Sequence, residues 1–358
     1  MNDATVSRQW YSRPDDQRFL NLEDLYDATK QRADNTKTFN MHNGQIQAFG
    51  TEGEDKDDLG ELVIMTLDGP KTFTNWSFSQ LAGVAKAPAS FLRNLSSPLA
   101  AACLNERLPK ADRPESMLQT NGNDTLRCAT STTYGRIWDY DVVGKVQEVT
   151  ANGNWKIPSS SYGATNPKRA TTLYASDRDV FMFLVDEDHP ISIPGQDKPS
   201  YRGFYAWNSE VGSQTFGLAA FLYETICDNR IIWGMSNKQE LRIKHSAGAP
   251  ERFLQEGRKT LIEYANDSTQ DLVAKITRAQ NVKIGNNEDE VKEFLKKRGL
   301  NLAIANMAVN AAKMEEGSYN TAWDIAQGIT AHARTVAHTD TRVQMERQAG
   351  AILDMVTS

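Results

Sequence analysis

Residues 202–234 read RGFYAWNSEVGSQTFGLAAFLYETICDNRIIWG, and this stretch decides the fold. Phe204 and Ala206 alternate with Tyr205 and Trp207, the two-residue period that sends neighbouring side chains to opposite faces of a strand. Residues 202–211 read as one strand-like piece and residues 215–227 as the next, and Asn208-Ser209 and Asp228-Asn229 are candidate turn residues that satisfy their own backbone. Residues 217–224 form an apolar run too short for periodicity to separate strand from helix. Tyr201, Phe204, Tyr205, Trp207, Phe216, Phe221, Tyr223 and Trp233 lie among Arg202, Asn208, Ser209, Glu210, Asp228, Asn229 and Arg230. Two readings stay open. Bases could stack on these rings in a groove, at about 1–3 kcal/mol per base, or the rings fill a sheet core and the polar residues make its turns.

Upstream the chain is rich in hairpin signals. Asn43-Gly44, Asp68-Gly69 and Asn121-Gly122 each sit between strand-like runs and suit the left-handed positions of tight turns. An acidic loop, residues 52–58, precedes the second. Between the second and third, Leu81, Val84, Phe91, Leu92, Leu95, Leu99 and Leu104 recur at near-helical spacing, with a break at Pro88. Residues 77–95 resemble a helix-turn-helix in outline, presenting Ser90, Arg93 and Asn94. Lys86 stands where the turn glycine is expected. Residues 139–149 predict a helix, with Asp139 and Asp141 at its start, and residues 159–169 are a linker-like loop. Residues 171–175 and 180–185 predict another hairpin. Asp186, Glu187, Asp188 and His189 read as an acidic loop.

Downstream, residues 240–245 alternate: Arg242, Lys244 and His245 are set against Leu241 and Ile243, a cationic strand with Arg252, Arg258 and Lys259 close behind. This is the best local phosphate-binding candidate, and its rival is a plain polar strand face. After Pro250 the pattern turns helical. Asn287 and Glu290 have capping-box spacing, and Lys292, Lys296, Lys297 and Arg298 share a helix with acidic residues, as on a solvated face. The expected architecture is α+β: a mostly antiparallel sheet with inserted helices, followed by a helical C-terminal region. The segments are an N-terminal hairpin and acidic-loop extension over 1–60, an α+β core over 61–250 and a helical region over 251–358.

Composition narrows the function. The 358 residues are 39% hydrophobic and 24% charged, with a formal net charge of −6, which is ordinary for a globular chain. The acid excess lies in residues 1–126, with 13 Lys/Arg against 18 Asp/Glu. No segment is basic overall, which counts against a protein that lives by phosphate contacts. No apolar stretch approaches the roughly 20 residues a bilayer requires, and residues 1–14 lack a signal-peptide layout, so a cytoplasmic protein without a membrane partner is expected. Cys103, Cys128 and Cys227 are isolated, as in a reducing compartment. His42, His189, His245, His332 and His338 share no metal-ligand spacing. There is no phosphate-binding glycine loop and no nucleophile elbow. No catalytic residue, metal site or cofactor is assigned.

The runs 75–95 (NWSFSQLAGVAKAPASFLRNL), 126–143 (LRCATSTTYGRIWDYDVV), 172–185 (TLYASDRDVFMFLV), 202–234 and 241–253 (LRIKHSAGAPERF) resemble a phage- and plasmid-encoded prokaryotic family, domain of unknown function 932. Its most specific element is Asn-Ser-Glu-x-Gly at 208–212 followed by Cys-Asp-Asn-Arg at 227–230. The resemblance implies a mobile-element setting in a bacterial host cell and carries no activity with it. Together these features predict a non-enzymatic nucleic-acid-binding protein of a phage or mobile element, a single-strand binding or annealing factor acting as a homo-oligomer. The residues expected to touch nucleic acid are Arg202, Tyr205, Trp207, Asn208, Asn229, Arg230, Arg242, Lys244 and His245. The alternative is a self-assembling structural protein or one that binds a host protein. A third reading is a metal-dependent hydrolase or nuclease built from scattered carboxylates.

Overall fold

A computed structural model describes residues 14–54, 58–122, 124–151, 154–158, 171–195, 199–224, 229–231, 240–266, 270–333 and 339–357. It is an α+β fold with two sheets and a helical C-terminal region.

Two hairpins build the first sheet. Strands β4 (Leu62–Thr66) and β5 (Gly69–Phe73) close at Asp68-Gly69, with Gly69 at φ +92°. Strands β6 (Glu115–Thr120) and β7 (Thr125–Thr130) close at Asn121-Gly122. With β2 (Lys37–His42) and β3 (Gln47–Gly50) the order is β2-β6-β7-β5-β4-β3, antiparallel except for β5 beside β7. Asn43-Gly44 departs from expectation, because it carries the chain from one edge of this sheet to the other and closes no hairpin. Its donors are bound elsewhere: the Asn43 N–H donates to Pro114 O and the Asn43 amide to Arg113 O.

The helical stretch that follows β5 makes three helices where two were expected: α2 (Asn75–Val84), α3 (Ala89–Leu92) and α4 (Ser97–Arg107). Pro88 separates the first two, and Pro98 opens the third at a position where its missing N–H costs nothing. They bury Leu81, Leu92 and Leu104 against Ile64, Leu118 and Leu126 of the sheet. At the sheet edge the Asn105 side chain takes a strand's place, accepting from the Ala48 N–H and donating to the Ala48 carbonyl.

The second sheet runs β1 (Arg18–Phe19), β9 (Leu173–Ala175), β10 (Val180–Ile191), β11 (Ser200–Asn208), β12 (Phe216–Glu224), β13 (Asn229–Ile231). Strand β8 (Trp155–Lys156) adds to β10, and β14 (Glu240–Ile243) adds to β12. The ambiguous run 217–224 is therefore strand, held by continuous antiparallel register with β11. One face, including Met182, Leu184, Phe204, Ala206 and Leu218, packs on Leu25 of α1 (Leu22–Asp34) and on Val142, Val143 and Val146 of α5 (Asp139–Thr150). The opposite face carries Tyr174, Phe181, Phe183, Tyr205, Trp207 and Tyr223.

After β14 the chain is helical: α6 (Ala249–Arg252), a π turn over Phe253–Gly257, α7 (Arg258–Asn266), α8 (Gln270–Asn281), α9 (Glu288–Lys297), α10 (Leu302–Glu315), α11 (Ala322–Ala333) and α12 (Thr339–Thr357). The cap forms at Asn287, whose side chain accepts the Glu290 N–H, while the Glu290 carboxylate reaches back to the Asn286 N–H. A core of Ile276, Val291, Leu295, Val309, Ile325, Ile329 and Ile352 joins these helices. Helices α10 and α11 approach closely at Gly328, where a Cβ would lie 2.1 Å from Ala308 O. Among the described residues no helix is long and apolar enough to cross a membrane.

Candidate functional site

The turn after β11 is the structural hub. Asn208, Ser209 and Glu210 are buried, and each binds a different part of the chain. The Asn208 amide donates to Asp139 Oδ1 and to Ile137 O, both at 2.8 Å. Glu210 Oε1 accepts the Asp139 backbone N–H at 2.9 Å, placing a carboxylate where the helix dipole of α5 favours negative charge. Glu210 Oε2 lies 3.0 Å from Arg127 Nη1. Arg136 Nε donates to Glu210 O, and its Nη1 donates to Thr38 Oγ1. Arg127 comes from β7, at the register shift between β6 and β7. The Asn-Ser-Glu motif thus ties the first sheet to the second across a buried charged seam. Burial first, and the nearby Glu210 charge second, hold Asp139 well above the usual carboxylate range.

The remainder of the motif builds a wall. The Val211 carbonyl accepts from Trp76 Nε1 and Gln80 Nε2 of α2, while Gln80 Oε1 accepts the Ala129 N–H. Gly212 sits at φ +81°, which favours glycine. Tyr134 donates its hydroxyl to Ser209 O at 2.8 Å.

Among the described residues of the aromatic block, Phe204, Tyr205, Trp207, Phe216 and Tyr223 are core. Tyr205 is 2% exposed and Trp207 9%. The Tyr205 ring packs 5.5 Å from Phe181 and 5.7 Å from Phe183, and its hydroxyl donates to the buried carboxylate of Glu346 in α12 at 2.8 Å. Arg202 is buried and pairs across the strands with Asp186 at 3.0 Å. This corrects the reading of 186–189 as a solvated acidic loop. Asp186 is a buried strand residue, held by Arg202 and His189. Asn208 belongs to the seam. Asn229 and Arg230 lie on β13, but their side chains fall outside the described residues, as do those of Phe221, Asp228 and Trp233.

Of the expected cationic strand, Arg242 and Lys244 are exposed, whereas His245 is buried. Strand alternation explains the split, since residue 245 shares the inward face with Ile243. His245 stacks on Tyr134 with centroids 4.9 Å apart, and its Nδ1 meets Gly135 O at 3.0 Å. Burial pushes its pKa below the ordinary value. Arg242 lies over the Trp207 ring at 5.8 Å. The indole can reach it because Gly217 lies opposite Trp207, where a Cβ would come within 2.0 Å of the ring.

Beside Tyr134 a cleft of about 510 Å³ opens between the end of α2 and the loop after β7. Lys86, Arg113, Ser131, Tyr134, Gly83 and Gly212 are among its lining. Lys86 Nζ pairs with Asp112 at 2.6 Å, and the Arg113 guanidinium donates to Ala129 O. The helix-turn-helix outline does not hold. Helix α3 spans four residues, and Arg93 folds back onto Asn75 and Ser79. Among the described residues no group of three or more His, Cys, Asp or Glu converges to hold a metal ion. Sequence reasoning missed Arg127, Tyr134 and Arg113. Nothing local marks them, because their partners lie far along the chain.

Two sheets joined through a buried seam, with a cation-lined cleft beside it, define an α+β protein organised around the turn after β11. The chain belongs to the family described as Domain of unknown function (DUF932), which matches residues 130–352. That match takes in Asp139 and Glu210 of the seam, the central sheet and most of the helical region, and leaves Arg127 and the cleft residues Lys86 and Arg113 outside it. No curated protein and no solved structure matches the chain.

Proposed function

We propose that the chain is a non-enzymatic nucleic-acid-binding protein of a phage or mobile element that contacts the backbone of a single strand, acting as a homo-oligomer. The observation that carries this reading is a run of cations on one side of the Tyr134–His245 stack and beyond it. Arg242 is exposed on the edge strand β14 and Lys244 is exposed just after it. Next to Lys244, His245 stacks on Tyr134, which lines the same cleft as Lys86 and Arg113. With Phe204, Tyr205, Trp207, Phe216 and Tyr223 engaged in packing, contacts fall on phosphates, which fix position and carry little sequence information. One phosphate at the cleft and one each at Arg242 and Lys244 imply that the logarithm of affinity for a single strand falls with the logarithm of salt at a slope of about −2. Fluorescence anisotropy of labelled single-stranded and duplex DNA, at low and moderate salt, tests the reading. Absence of binding at low salt would sink it.

A specific observation favours self-assembly as a second reading. Phe49 and Met65 are 49% and 41% exposed on one face of β3 and β4, and Leu67 is 72% exposed at the adjoining turn. Contiguous exposed apolar surface marks interaction sites. Light scattering on purified protein reads the oligomer directly. A monomer at micromolar concentration would remove this reading and the oligomeric part of the first.

A further inference from the structure

The C-terminal end of α2 inverts the usual residue preferences twice. Gly83 occupies the last turn of the helix, where glycine is unfavourable relative to alanine. Three residues on, Lys86 adopts φ +53°, a left-handed conformation that favours glycine. The motif around it is a complete Schellman cap: the Lys86 N–H donates to Gly83 O and the Ala87 N–H to Ala82 O. A helix designed only for stability would exchange these two residue types.

Both residues line the cleft. A Cβ at Gly83 would meet nothing within 4 Å, so the glycine leaves cleft space open without relieving any crowding. The backbone turn at Lys86 sets its side chain into the same lining as Arg113. Backbone strain of this kind collects at binding sites, where the surroundings hold it in place. Arg113 adds a second sign. Its Nε is buried without a hydrogen-bond partner, although its Nη2 donates to Ala129 O.

We infer that the cleft is a phosphate site in which Lys86 and Arg113 hold one phosphate group. Asp112, an exposed lining carboxylate paired with Lys86, is what an incoming phosphate displaces. This rests on the nucleic-acid reading for the strand as natural ligand, while the phosphate chemistry stands on the cleft alone. The phosphate can come from a strand or from a free phosphate, and the experiment separates them.

The test uses the full chain, a labelled single-stranded oligonucleotide and inorganic phosphate as competitor. Lys86→Gly should lower strand affinity about fivefold to tenfold and reduce the salt slope by about 0.7, the signature of one lost contact. Its melting temperature should stay level or rise, because glycine fits the left-handed turn. Gly83→Gln should block the cleft to a similar extent without unfolding the protein. Asp112→Asn should raise affinity severalfold. If millimolar phosphate also displaces the strand from the wild type, the site takes free phosphate. If it does not, while the Lys86 effect persists, the strand itself is the source. Strand binding unchanged in all three variants overturns the cleft site and leaves the nucleic-acid reading standing. No strand binding by the wild type overturns that reading, and phosphate titration of the wild type and Lys86→Gly, followed by calorimetry, then decides the cleft alone. Equal or absent heats in the two would overturn it.

Discussion

Glu210 and Arg127 form a buried ion pair at 3.0 Å between the turn after β11 and strand β7. The second oxygen of Glu210 receives the first N–H of α5 from Asp139. One carboxylate thus fixes a helix start and the junction between two sheets. Removing one partner of a buried pair leaves the other charge stranded, which costs about 3–5 kcal/mol. Glu210→Gln keeps an acceptor for the Asp139 N–H but loses the charge. It should lower the urea midpoint strongly, and an unchanged midpoint would show that the seam contributes nothing to stability.

Asp139 should behave in the opposite way. Burial and the Glu210 charge raise its folded pKa. As pH rises above the ordinary carboxylate value of about 3.9, the unfolded chain releases this proton while the folded chain keeps it. Stability therefore falls with rising pH until the raised folded value is passed. Asp139→Asn supplies an uncharged acceptor for the Asn208 amide and should flatten part of that slope. Asp141, also raised by burial and Glu210, retains the remainder. A urea series across pH measures both slopes, and identical slopes would refute the assignment.

His245 gives the reverse sign at higher pH. Its folded pKa is lowered by burial. Below the ordinary value of about 6.5 the unfolded chain takes up a proton that the folded chain resists, so stability falls as pH drops through that window and is fully present above it. His245→Gln should remove this dependence between about pH 5 and 7, read by thermal melts at several pH values.

Tyr205 separates core from groove. Tyr205→Phe removes the donor to the buried Glu346 carboxylate and should cost about 1–3 kcal/mol of folding stability. Strand affinity should be unaltered at a temperature where the variant is folded. A selective loss of affinity would mean that the ring meets bases after all.

Gly217→Ala places a Cβ 2.0 Å from the Trp207 ring. The indole must move, at a cost of about 1–3 kcal/mol from overpacking. Its intrinsic fluorescence should shift as it leaves Arg242. A variant with wild-type stability and emission would contradict the described stacking of Arg242, Trp207 and Gly217.

Much of the fold was legible locally. The hairpins at Asp68-Gly69 and Asn121-Gly122, the helix at 139–150 and the Asn287 cap follow from turn chemistry and spacing. The run 217–224 was undecidable because its strand character comes from neighbours on both sides, with β11 along its whole length. The site was legible only in part. Alternation along 204–207 already argued for inward and outward faces, but both faces of this sheet are covered, so Tyr205 and Phe204 are equally buried. His245 was set with Arg242 and Lys244 although its position in the alternation is opposite. Lys86 stood out as a missing glycine, and what sequence could not supply was the cleft beside it. That cleft depends on contacts between α2 and the 208–214 turn, more than 120 residues apart in the chain.

Anisotropy titration of a labelled single strand with the wild type and with Arg242→Glu/Lys244→Glu probes the proposed surface most directly. Both residues are exposed, so the double variant should fold normally. The wild type should bind at low salt with affinity that falls steeply as salt rises, and the double variant should bind at least tenfold more weakly with a shallower salt dependence. Equal binding by the two proteins, or no binding by the wild type at low salt, would contradict a phosphate-contacting surface at β14.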